Sequence, residues 1–210
     1  MHQFVTPKVL YFGTPVVLIS TVNPDGTPNL APMSSAWWLG RSCMLGLDST
    51  SRTPENILRT GECVLNLCSA TMVAAVDRLA TLTGSPELPR HKADKGFRYE
   101  PDKFGTAGLT PAESLKVRPP RVLESPVQME GLLISSRDFG APHAEAYAIE
   151  VEIIATHVDD SLLRGQKEGH VDPQAWDPLI MKFGEFFGGG QSLQPSRLAA
   201  AFGLEHGIGA

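Results

Sequence analysis

The β-branched apolar run Pro15–Thr21 is followed at once by Asn23-Pro24-Asp25-Gly26 and then by Thr27–Ala31. Proline pre-sets one turn dihedral, aspartate bonds its own backbone, and glycine accepts a positive φ, so the four residues predict a tight reversal. A strand, a turn and a returning strand this early commit the chain to antiparallel sheet. The punctuation continues downstream. Met33–Leu39 and Ser42–Leu47 predict two further strands joined around Gly40-Arg41, and Glu62–Cys68 predicts one apolar enough to be buried on both faces. Val127–Ser135 and Ala146–Val158 predict two more, the second carrying alternating Glu150 and Glu152. Leu109-Thr110-Pro111 and Arg118-Pro119-Pro120-Arg121 read as extended edge segments. Helical spacing is confined to Thr53–Thr60 and Ala70–Ala80, the latter with Ser69 or Thr71 as cap. Six or so strands in meanders, with few helices, predict a mainly β chain forming a closed or partly closed antiparallel barrel, because closure removes exposed edges.

The 210 residues predict one domain spanning 1–210, with a polar excursion at Thr83–Lys103 and a flexible tail at 188–210. The excursion reads as a loop or short helical lid; its basic residues Arg90, His91, Lys92, Lys95, Arg98 and Lys103 either meet the phosphates of a nicotinamide dinucleotide or form a solvated surface. Seventeen prolines and twenty glycines suit a turn-rich β chain better than a helical bundle. A net charge of −5 without a Lys/Arg cluster excludes a nucleic-acid surface. No apolar run is long enough to span a membrane, and Met1-His2-Gln3-Phe4 does not open a secretory signal. Cys43, Cys63 and Cys68 lie in apolar runs and predict buried, reduced thiols, hence a cytoplasmic location. The six histidines are scattered and form no zinc-like pair, so no metal site is expected. His157 lies near Asp159 and Asp160, and a structural hydrogen bond is expected of it.

Two segments carry the chemistry. Asn29-Leu30-Ala31-Pro32-Met33-Ser34-Ser35 is small, proline-stiffened and hydroxyl-rich. Ser49-Thr50-Ser51-Arg52-Thr53-Pro54-Glu55-Asn56 places hydroxyls and an arginine just ahead of a helix, with Thr53 as the expected N-cap, Pro54 at the first helical position and Gly61 at the end. The first amides of such a helix lack intrahelical partners and favour an anion, and an arginine fork can hold two phosphate oxygens. Together the segments offer a wall for a flat polar ring and a seat for an anionic tail, the two things flavin mononucleotide (FMN) requires. The candidate cofactor-binding residues are Asn29, Pro32, Met33, Ser34, Ser35, Ser49, Thr50, Ser51, Arg52, Thr53 and Asn56. The competing reading of the second segment is an ordinary capped helix with a solvent-facing arginine; its place after a strand, and its pairing with the first segment, favour a site.

Other motifs resolve to less. Trp37 and Trp38 point to opposite faces of a strand, and both are expected in the core. Gly188-Gly189-Gly190 neither follows a strand nor opens a helix, so it is not a dinucleotide fingerprint. Ser34-Ser35 lacks the Gly-x-Ser-x-Gly setting of a hydrolase nucleophile. No side chain is assigned as catalytic.

Read as an ordered series, the chain resembles the flavin reductase-like family with the FMN-binding split-barrel fold. The matching pieces are Pro15–Thr21, Asn23–Gly26, Asn29–Ser34, Arg52–Asn56, Gly61–Leu67, Ala107–Pro111, Arg118–Arg121, Glu124–Val127 and His157–Asp160, which together cover most of residues 14–187. The resemblance implies an antiparallel, Greek-key-like split barrel and a homodimer with FMN at the subunit interface. The phosphate would lie near Ser49–Asn56 and the ring edge near the backbone of Pro32–Ser35. It also implies NADH or NADPH as co-substrate and reduced flavin passed onward, for instance to a partner monooxygenase. The alternatives are a flavin-carrying protein without nicotinamide activity, and a split-barrel relative of another phosphate-bearing ligand. Two departures stand out: Ala36-Trp37-Trp38 replaces a smaller or Phe-rich run, and Lys182–Phe187 stands where some reductases carry a His-and-Tyr pattern.

Overall fold

A computed structural model describes residues 1–140, 145–163, 169–194 and 196. Seven strands form one antiparallel sheet: β1 (Val17–Val22), β2 (Pro28–Met33), β3 (Ala36–Leu39), β4 (Ser42–Asp48), β5 (Glu62–Leu67), β6 (Val127–Phe139) and β7 (Ala146–Val158). Their spatial order is β2-β1-β5-β6-β7-β4-β3. The two edge strands, β2 and β3, are consecutive in the chain and separated only by Ser34-Ser35. Three residue steps reach about 11 Å at most, so the edges must meet and the sheet is curled into an almost closed barrel. The Asn23–Gly26 reversal forms as expected, with the Gly26 amide on the Asn23 carbonyl at 3.0 Å and Gly26 at φ 87°.

Two apolar clusters divide the molecule. Inside the barrel lie Val17, Ile19, Cys43, Leu45, Leu47, Ile57, Cys63, Leu65, Ile149 and Val151. Outside β1 lie Val16 and Leu18 with Leu30, Val76, Leu79, Leu82, Phe104, Ala107 and Leu179. β1 and β5 are therefore covered on both faces, which is why Glu62–Leu67 reads as a nearly continuous apolar run. Helix α1 (Arg52–Thr60) packs against β1, and Gly61 ends it at φ 74° with its amide on the Ile57 carbonyl. Helix α2 (Val73–Leu79) follows a single 3-10 turn at Ala70–Met72.

The excursion is more structured than a plain loop. Leu82–Thr83 pairs in parallel with Arg98–Tyr99, and the short helix α3 (Arg90–Ala93) lies between them. Helix α4 (Lys103–Ala107) follows, capped by the Asp102 side chain on the Gly105 amide and ended by Gly108 at φ 65°. The C-terminal aromatics form a small hairpin, Ile180–Lys182 with Glu185–Phe187, on the strand Phe12–Pro15. Most of the expected tail at 188–210 lies outside the described residues.

Two expectations are corrected. Trp37 is not core: it is 57% exposed, while Trp38 packs against the barrel cluster. Arg118–Pro120 is bent, and the edge strand there is Arg121–Val122 paired with Pro111–Ala112. The structural hydrogen bond expected of His157 is present, with Glu130 as its partner at 2.7 Å. All three cysteines are buried and unbridged; burial pushes each thiol up to about 12.

Candidate functional site

The end of β4 and the start of α1 are joined by a turn built on Asp48. Thr50 donates its amide and its hydroxyl to Asp48 Oδ1 at 2.8 and 2.6 Å, and the Ser51 amide reaches the Asp48 carbonyl at 3.1 Å. This turn starts α1 two residues earlier than expected: Ser51, not Thr53, is the N-cap residue, and Pro54 falls third in the helix. Proline is still tolerated there, because the first-turn amides have no intrahelical acceptor. The Ser51 hydroxyl makes no capping bond; it accepts from Lys92 Nζ at 2.8 Å. Lys92 also lies 3.3 Å from Asp48 Oδ1. Partial burial of Asp48 acts to raise its carboxyl, but the Thr50 bonds and Lys92 outweigh that and hold it below the usual carboxylate range.

Beside this turn opens a cleft of about 660 Å³. One wall is the β2–β3 corner, with Met33 and Ser35; the floor is Gly46, Leu47 and Asp48 of β4; the far side is Phe139, Glu145 and Ala146; Tyr11, Thr50 and His91 complete the rim. Ser35 is fixed twice: its hydroxyl meets the Tyr11 hydroxyl at 2.9 Å, and its carbonyl accepts the Gly46 amide at 2.8 Å. A side chain at position 46 would come within 3.1 Å of the Ser35 Cβ, so glycine there keeps the floor close to the corner. Behind the corner is an apolar hollow of about 310 Å³ lined by Pro32, Met33 and Ser34 with Val16, Val76 and Phe186. Met33 and Tyr11 line both spaces.

The eleven candidate residues therefore separate. Met33, Ser35 and Thr50 line the cleft; Ser51 is held by Lys92 at its head; the Ser49 amide bonds the Glu145 carbonyl at 3.0 Å. Pro32 and Ser34 face the hollow. Asn29, Thr53 and Asn56 come together under α1 instead: Asn29 Nδ2 donates to the hydroxyls of Thr21 and Thr53 at 3.1 and 3.2 Å, and Asn56 Nδ2 donates to Thr21 and Asn23. This buried network ties the helix to the β1–β2 hairpin, and Asn29 Oδ1 is left without a partner. Arg52 turns away from the cleft. Its Nε donates to the Gly84 carbonyl at 3.2 Å and it pairs with Glu55 at 2.7 Å, bordering a separate depression of about 480 Å³ with Asp25, Tyr99 and Asp102.

Sequence reasoning missed Tyr11, Asp48, Phe139, Glu145 and Ala146, and it placed Lys92 in the basic excursion but not beside Ser51. Asp48 carried a usable signal, an aspartate two residues ahead of a hydroxyl residue at a strand end. The others arrive from distant segments. Among the described residues no cluster of His, Cys, Asp or Glu could hold a metal ion.

The curled antiparallel sheet with its cleft at the β2–β3 corner defines the split-barrel class. The model of the flavin reductase like domain matches residues 9–190, so the chain belongs to that family. It is 36% identical over 191 residues to the uncharacterized protein YdfE of Bacillus subtilis (strain 168), covering 90% of each. Among solved structures it is similar to the flavoredoxin of Desulfovibrio vulgaris (Miyazaki F), at 25% identity, TM-score 0.77, and 95% and 100% coverage. It shares its fold with nitrilotriacetate monooxygenase component B from Bacillus cereus, at 20% identity, TM-score 0.71, and 90% coverage of each chain.

Proposed function

We propose that the protein is an FMN-binding oxidoreductase that takes electrons from NADH or NADPH and passes them to an acceptor, such as a partner monooxygenase. One observation carries the reading. The cleft runs from a flat, backbone-rich corner at Met33–Ser35 to a hydroxyl-rich turn at Asp48–Ser51 that holds a buried lysine. Its volume falls within the range of small-ligand sites. The residues fit the group: the corner suits a ring edge, and Thr50, Ser51 and Lys92 supply the donors a phosphate needs. Bound FMN would supply the hydride chemistry. The chain's own work is to bind and orient. The Ser35–Gly46 and Ser35–Tyr11 hydrogen bonds hold the corner in place before any ligand arrives, so little ordering cost falls on binding.

Phe139 is an exposed large apolar residue at the rim of the cleft, and Trp37, Leu39 and Ile134 are further exposed large apolar residues of the barrel strands. A second copy covering this rim would complete the site, which supports a homodimer. Buried, protonated thiols agree with a cytoplasmic setting, and no helix among the described residues is long and apolar enough to cross a membrane.

Anaerobic mixing with NADH and with NADPH tests the reading: bleaching of the flavin absorbance is expected with at least one of them. A second reading, a flavin carrier without nicotinamide activity, is favoured by the excursion, where Arg90 and Lys95 point outward rather than into the cleft. Tight FMN binding with no bleaching by either nucleotide establishes that reading instead.

A further inference from the structure

Gly40-Arg41 turns β3 into β4 at the end of the strands opposite the cleft. From Arg41 to Asp48 the chain climbs about 20 Å at the rise of a strand, so nothing bound at the turn touches the cleft floor. Beside the turn β7 carries a bulge: Glu130 faces Ala155 and Gly131 faces Ile153, which leaves Ile154 without a partner on β6. A cavity of about 400 Å³ opens there, lined by Trp38, Arg41, Met129 and the bulged segment Ile153–Thr156.

Its chemistry is one-sided. Arg41 is fixed to β7 twice: its carbonyl accepts the Ile153 amide at 2.8 Å, and its Nη2 donates to the Ile153 carbonyl at 2.9 Å. Among the described residues no carboxylate pairs with Arg41, and none lines the cavity. The Trp38 indole N–H is buried without an acceptor. Apart from Thr156, the other lining side chains are apolar. Trp38 and Met129 also pack against the barrel cluster, which holds ring and thioether in place. A cation pinned by the backbone beside a supported aromatic ring suits a flat anion with an apolar body. A phosphate dianion would find a single cation here, and an uncharged ring would leave the guanidinium fork unused.

We propose that this cavity is a second binding site, for a small aromatic monocarboxylate, with Arg41 holding the carboxylate and Trp38 and Met129 the ring. Its volume suits one or two fused rings. The site goes beyond the flavin reading and does not depend on it.

The test uses the full chain carrying Trp37→Phe and Trp176→Phe, which leaves Trp38 as its only tryptophan. Benzoate and 2-naphthoate are titrated by calorimetry, each beside its uncharged amide, and Trp38 emission is followed with benzoate. Expected are saturable binding of at least one acid, a change in Trp38 emission that saturates with benzoate if benzoate binds, and an amide at least about 10-fold weaker. Arg41→Gln should weaken the acid about 10- to 100-fold, the size of a charge-assisted hydrogen bond, and leave the amide unchanged. Saturating FMN should leave acid binding as it was. Binding of neither acid at millimolar concentration overturns the proposal, as does equal affinity for acid and amide, indifference to Arg41→Gln, a silent Trp38 while benzoate binds, or displacement of the acid by FMN.

Discussion

In the barrel, burial follows hydrophobicity. Val17, Ile19, Leu45, Leu65, Ile149 and Val151 are all sealed from solvent, and each belongs to a run whose pattern announces it. In the Thr83–Lys103 excursion the two properties part company: Lys92 and Lys103 are as deeply buried as Leu82, while Tyr99 is exposed. A segment that hides charge is organised for something other than its own stability. The barrel sets where the cleft lies; the excursion sets what charge the cleft end carries.

The contrast predicts opposite signs for substitutions in the two regions. Leu45→Ala should destabilise the fold by about 3–5 kcal/mol in urea unfolding, the range for a large-to-small change in a sealed core. Its preference for FMN over riboflavin, measured on folded protein, should stay put; a shift in preference would mean that the barrel interior tunes the site directly.

Lys103→Met should act the other way, stabilising ligand-free protein by roughly 2–3 kcal/mol at pH 7, the scale of an ammonium pushed from 10.5 to about 8. A base held below its unfolded value binds fewer protons when folded, so its penalty is full below pH 8 and fades as pH rises towards 10.5. The three buried thiols oppose this above pH 9, since they hold protons that the unfolded chain releases. The variant-minus-wild-type difference in chemical unfolding isolates the lysine, and a pH-independent difference would show that its charge is not the cause.

Arg52→Ala comes next, at about 1–2 kcal/mol of stability, because two protein hydrogen bonds and the anchorage of the Gly84 loop are lost. If FMN affinity falls while unfolding is unchanged, Arg52 serves the ligand and not the loop. Smallest is the pair Arg90→Ala and Lys95→Ala: both residues are exposed, and stability should move by no more than about 0.5 kcal/mol. Any rise in the KM for NADH or NADPH in that variant would restore the excursion as a nicotinamide lid.

The barrel was legible because its signals are local. Period-two burial, the Asn23–Gly26 turn and the glycine closing α1 each act within a few residues, and the Ala146–Val158 strand appears with its expected bounds. The tight corner at Met33–Ser35 between two strands has the same local origin. The charges at the cleft end were not legible. Arg52 sits beside the hydroxyls in sequence but donates to the Gly84 carbonyl, whereas Lys92 reaches Ser51 from 41 positions away. Nothing near Lys92 distinguishes it from Arg90 or Lys95. Lys103, at the end of the excursion, did carry a faint mark: Asp102 and Gly108 bracket Phe104 and Ala107 with the chemistry of a cap at each end, enough to predict a short helix that must bury one face. Even so, a buried lysine contradicts ordinary patterning, and only packing reveals it.

The Ser34-Ser35 link between the two sheet edges has a consequence for how a cleft of this kind can change over time. One added residue there lengthens the span by about 3.3–3.6 Å, more than the slack of any hydrogen bond holding the corner. If that length were taken up in the span, the Gly46–Ser35 and Tyr11–Ser35 contacts could not both survive it. An insertion at this joint that kept both contacts would have to bulge away from the cleft, so widening the cleft here means giving up at least one of the bonds that hold its corner.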